Sequence, residues 1–109
     1  MAFTDQELAQ IKFASISLAA TGTLVAAVTG KKIRVISYVI VAASAVSVNF
    51  ENGTTNISGV MDLAASGGIA YVGSRDAPAF ETSSAALLGL TLSGAVQVSG
   101  HLTYVEIPV

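Results

Sequence analysis

Apolar and polar residues alternate with a period of two along most of this chain, the spacing of strands rather than helices. Ile11-Lys12-Phe13-Ala14-Ser15-Ile16-Ser17-Leu18 predicts a first strand, with its register left open because apolar residues occur on both parities. Thr21-Gly22 marks a turn, residues 23–28 a second strand, and Thr29-Gly30-Lys31-Lys32 a charged turn. Residues 33–43 form the longest candidate. Its odd positions are Ile33, Val35, Ser37, Val39 and Val41, and its even positions are Arg34, Ile36, Tyr38, Ile40 and Ala42. Both sets are mainly apolar, which predicts cover on both faces. Val46, Val48 and Phe50 alternate with Ser47, Asn49 and Glu51, the pattern of a half-exposed strand.

Further strands are expected at residues 57–63, 69–72, 80–82, 88–92 and 96–107, separated by Ser66-Gly67-Gly68, residues 73–79 with Pro78, and Ser93-Gly94. In the last of them Val98, Leu102 and Tyr104 share one face, while Gln97, Ser99, His101 and Thr103 take the other. Eight or nine short strands with turn signals at regular spacing predict an all-β fold. An antiparallel jelly-roll β-sandwich of about eight strands suits the count. The start differs. Thr4-Asp5-Gln6-Glu7 fits a capping box, with Phe3 before it and Leu8 and Ile11 spaced i,i+3 after it, so residues 1–10 read as a short helix or arm. Residues 11–109 then make one β-sandwich domain.

Composition changes the picture in one respect. The 109 residues carry 5 Lys+Arg and 7 Asp+Glu, so only 11% are charged while 52% are hydrophobic. Soluble domains usually carry about 25% charge. A formal net charge of -2 gives no basic field for a nucleic-acid backbone, so direct nucleic-acid binding is not expected. The uncharged stretches at residues 13–30 and 35–50 are broken by Ser, Thr and Gly and rich in β-branched residues, which argues against spanning helices. Asp5 and Glu7 sit where a secretory signal needs positive charge. What fits is a subunit of a larger assembly, or a surface shielded by other chains.

Reaction chemistry is sparse. The absence of Cys excludes disulfides, thiolate metal sites and cysteine nucleophiles. His101 is the single histidine, and Glu106 lies on the opposite parity of the same strand, so no metal or catalytic pairing is expected there. Asp62, Asp76 and Glu81 lack the clustering a calcium loop requires and read as structural, Glu81 with Arg75 as its candidate partner. Lys31, Lys32 and Arg34 are the one basic cluster, read as a solubilising turn or an electrostatic contact with an acidic partner surface. Asn52-Gly53-Thr54 and Asn56-Ile57-Ser58 match the glycosylation pattern, though such residues are ordinary in turns. No metal, cofactor or catalytic residue is expected, so the chain reads as a non-enzyme.

The succession Gly30-Lys31-Lys32-Ile33-Arg34-Val35-Ile36-Ser37-Tyr38-Val39-Ile40-Val41-Ala42, then Val46-Ser47-Val48-Asn49-Phe50, Gly67-Gly68-Ile69, Glu81-Thr82 and the run from Leu88-Gly89-Leu90 to Tyr104-Val105-Glu106, resembles small virion structural proteins of tailed bacteriophages. These are jelly-roll or sandwich modules that decorate capsids or form parts of fibres and tails. The resemblance implies a capsid decoration (cement) protein on the outer capsid surface, a homo-oligomer with a trimer favoured, bound to the major capsid protein. On that reading Ile36, Tyr38 and Ile40 are expected at a subunit interface, with Val35, Val39 and Val41 in the sandwich. Phe3, Leu8 and Ile11 are expected to carry a capsid-contact arm. The alternative is a tail-fibre, adaptor or receptor-binding module. A carbohydrate-binding domain or jelly-roll enzyme is disfavoured by the absence of Trp and of paired acids.

Overall fold

The computed structural model describes residues 10–108. The capping box, Phe3 and Leu8 lie outside the described residues, as does the short helix expected there. The described chain is all-β, with strands β1 (Lys12–Leu18), β2 (Gly22–Val25), β3 (Lys31–Ala42), β4 (Val46–Asn52), β5 (Thr55–Asn56), β6 (Met61–Leu63), β7 (Gly68–Val72), β8 (Phe80–Glu81), β9 (Leu88–Leu92) and β10 (Val98–Pro108). They form two antiparallel sheets of five strands each. The first runs β1-β10-β3-β7, with β8 also on β3; the second runs β2-β9-β4-β5, with β6 also on β4. Alternating side chains of the two inner faces meet in one core. Ile16, Ile33, Val35, Ile40 and Leu102 come from the first sheet, and Val48, Phe50, Leu88 and Leu90 from the second. Each such side chain, once fully buried, contributes about 1.5–3 kcal/mol.

The long strand β3 departs from simple alternation. Opposite β10, Thr103 pairs with Ser37 but Tyr104 pairs with Val35, so Ile36 has no partner of its own. This is a β-bulge, and an extra residue in one strand inverts the parity of everything beyond it. Before the bulge Ile33 and Val35 point inward; after it Tyr38, Ile40 and Ala42 do. Ile40 is 0% exposed and Tyr38 packs on Phe50 across the sandwich. The expectation that Tyr38 and Ile40 face a neighbouring subunit is therefore corrected. Ile40 is a core residue, and the partly buried Tyr38 packs against the core. Val39 and Val41, expected in the sandwich, turn outward, and Val41 is 44% exposed. Ile36 also leaves the main core and joins Val105 and Ile107 in a small buried cluster of its own, so it is not an open interface residue either.

Further expectations change: the second strand, expected over residues 23–28, is Gly22–Val25, and Lys31 and Lys32, expected in a turn, open β3. The strand expected over residues 57–63 shortens to β6, because the Ile57 and Ser58 amides both donate to the Phe50 carbonyl and bend the chain back on β4. The Ser58 hydroxyl closes that turn by accepting the Phe50 amide at 2.9 Å. Asn49, expected on a wet face, is 6% exposed and its Nδ2 donates to Asn56 Oδ1 at 2.9 Å.

Candidate interaction surface

The outward face of the β1-β10-β3-β7 sheet follows from register, because residues directly opposite one another on neighbouring strands share a face. One row across it is Phe13, Thr103, Ser37 and Val72. The next is Ser15, His101, Val39 and Ala70, and the third is Ser17, Ser99, Val41 and Gly68. These rows contain no Lys, Arg, Asp or Glu. Phe13 and Val72, at opposite edges of one row, are 82% and 84% exposed. Between them the Ser37 and Thr103 hydroxyls bond at 2.6 Å, so the centre of the row satisfies itself and leaves the apolar edges to solvent. His101 is exposed in the middle row, and Glu106 falls on the opposite parity of β10, as expected from spacing.

Charge on this sheet gathers at the other end of β3. Arg34 lies directly opposite Glu81 of β8, and the Glu81 carboxylate accepts from Arg34 Nε and, at 3.1 Å, from Lys32 Nζ. Arg34 Nη1 also donates to the Arg75 carbonyl at 3.0 Å. Burial works against charge on Glu81, but these two cations outweigh it and hold its carboxyl below the usual range. Lys32 and Arg34 thus share the one Glu81 carboxylate within the chain. Lys31 makes no ion pair among the described residues. On the inward side Glu106 pairs with Lys12, and that bond with its charge raises the Lys12 ammonium pKa.

The edges of the two sheets differ in how far they are protected. A sheet edge carries unpaired amides and carbonyls that other chains can use, and proteins blunt it with short, interrupted or bulged strands. The β7–β8 edge is interrupted by residues 73–79, the β5–β6 edge consists of pieces of 2 and 3 residues, and β2 has 4 residues with a register shift against β9. β1 is the exception. Its 7 residues pair with β10 on one side without interruption, and among the described residues nothing hydrogen-bonds the backbone of its other side.

The second sheet presents a shallow open hollow lined by Thr23, Glu51, Gly53, Leu87, Gly89 and Thr91. Gly89 lies opposite Thr23 on one side and Glu51 on the other. Thr91 Oγ1 is buried without a hydrogen-bond partner among the described residues, but an atom closed to water is closed to a ligand as well. Among the described residues no group of His, Cys, Asp and Glu is placed to hold a metal. Ile11, expected in a docking arm, is 47% exposed just before β1. The β1 edge, open among the described residues, was missed by sequence reasoning, since pairing order is not visible in a single strand's pattern. No family model, curated protein or solved structure matches this chain.

Proposed function

We propose that this chain is a non-enzymatic virion structural protein, a decoration or cement protein that binds the outer shell of a tailed phage as a homo-oligomer, contacts the major capsid protein and strengthens the shell against internal DNA pressure. The observation that carries the reading is the outward face of the β1-β10-β3-β7 sheet. It has no Lys, Arg, Asp or Glu in its rows, and is lined by Ser, Thr, Ala, Val, Gly68, His101 and an exposed Phe13. Such a face suits contact with other polypeptides rather than with a charged small molecule.

The strand order supports reading the sandwich as a jelly roll. Merging β5 with β6 and β7 with β8 leaves eight strands paired first with last, second with seventh, third with sixth and fourth with fifth. That is the order produced when one long hairpin is wrapped around a core. Phage shell and tail modules of this architecture are what the sequence resembles. The mechanism is mass action: a protein that binds only the assembled shell stabilises it by the free energy of binding, multiplied over many copies.

Copy number tests the reading. Quantitative mass spectrometry of purified virions of the phage encoding this chain is expected to find tens to hundreds of copies per particle, in fixed ratio to the major capsid protein. A handful per particle would place it in the tail or fibre instead, and absence from the particle would end the proposal.

A further inference from the structure

We propose that the free edge of β1 pairs antiparallel with β1 of a second copy, joining the two first sheets across a two-fold axis at Ser15. The inference rests on the homo-oligomer part of the function above and names the surface that forms it. β1 is the one long, unbroken and unbulged edge among the described residues, and its outer amides and carbonyls lack partners there. Exposed strand edges recruit other strands through these groups.

The residues of β1 fit a copy of themselves. Centred on Ser15, antiparallel pairing sets Phe13 against Ser17 of the second copy, Ala14 against Ile16, and Lys12 against Leu18. The half-buried Ala14 and Leu18 and buried Ile16 stay on the core side, and the exposed Phe13, Ser15 and Ser17 stay on the outward side. Parity is therefore preserved across the junction, as register requires. The one charge on the strand, Lys12, meets Leu18 rather than another Lys12, and it is already paired with Glu106. The bulky Phe13 faces the small Ser17. A trimer, in contrast, would require β1 to pair with a different edge, and the other edges are short or interrupted.

The test uses the two-fold itself. Ser15 is exposed and lies opposite its own copy, so Ser15→Lys sets like charges face to face, as does Ser15→Glu. In sedimentation velocity at micromolar concentration the wild-type chain is expected to be a dimer. Each variant alone is expected to be a folded monomer by circular dichroism, and an equal mixture of the two should dimerise again. Ser99→Lys, on the same outward face but in the sheet interior, should remain dimeric. Because the chain has no Cys, Ser15→Cys should oxidise to a disulfide-linked dimer, whereas Ser99→Cys should not. A monomeric or trimeric wild type, a dimeric Ser15→Lys, or failure of the mixture to re-associate would overturn the pairing. None of these results bears on virion copy number, so the two proposals fail separately.

Discussion

Tyr38 of β3 and Phe50 of β4 meet edge to face across the sandwich, with ring centroids 4.8 Å apart and planes at 61°. Phe80 lies 4.8 Å from Phe50 and 6.1 Å from Tyr38, so three rings from different strands close the core at this level. Tyr71 stacks on the other side of Tyr38 at 6.2 Å. Burial, helped by Tyr71, pushes the Tyr38 phenol pKa up. Phe50→Ala is expected to destabilise the fold by about 3–5 kcal/mol, through lost burial and the cavity left behind. Tyr38→Ala should likewise act on the folding of each protomer. Urea unfolding at several protein concentrations checks this: the Tyr38→Ala loss should be the same at all of them, whereas an interface role would make it concentration-dependent.

Thr82 ties the chain after β8 to the start of β3. Its Oγ1 accepts the Ile33 amide at 2.9 Å while its own amide donates to the Ile33 carbonyl at 2.8 Å. At 4% exposure no water replaces the hydroxyl. Thr82→Val keeps the shape and strands the Ile33 amide, at an expected cost of about 1–3 kcal/mol. Thr82→Ser should recover most of that loss in chemical denaturation, and equal losses for both variants would contradict the assignment.

Gly100 sits mid-strand in β10, between Ile16 of β1 and Ile40 of β3. Its φ is +156°, and a Cβ placed there would fall on the Val39 carbonyl. Gly100→Ala must therefore displace the backbone at the most extensively paired part of the sheet. A fall in melting temperature of many degrees, or loss of soluble protein, is expected. Gly94→Ala, with open space around the new methyl, should be nearly silent.

The Glu81 cluster predicts an acid-side loss of stability. Folding holds this carboxyl below its ordinary value of 4.5, so as pH falls the unfolded chain takes up the proton first. The stabilisation is complete above that value and fades as pH drops through it toward the depressed one. With partly exposed partners it is on the order of 1 kcal/mol. Unfolding curves of the wild type and Glu81→Gln should differ at pH 6 and draw together as pH is lowered below 4.5. Parallel curves would contradict the sign.

Much of this was legible in the sequence, and the reasons are specific. Alternation at Val46, Val48 and Phe50 and at Leu88, Leu90 and Leu92 located β4 and β9, since a period of two is the spacing of a strand. The faces of β10 were read correctly for the same reason. β3 was located but its faces were assigned wrongly beyond Ile36. A bulge is set by pairing with another strand, and a sequence apolar on both parities gives no sign of where parity inverts. The internal partner of the basic cluster was hidden in the same way: Lys32 and Arg34 are near in sequence, but the Glu81 they share arrives through the β3–β8 pairing.

The most direct measurement of the central claim takes the phage proposed to carry this chain and compares DNA release on heating from its virions with release from otherwise identical particles lacking the chain. Particles without it are expected to release DNA at lower temperature, and purified chain added back to them should restore the higher one. Coincident release curves, with no restoration on adding the protein, would contradict a role in reinforcing the shell.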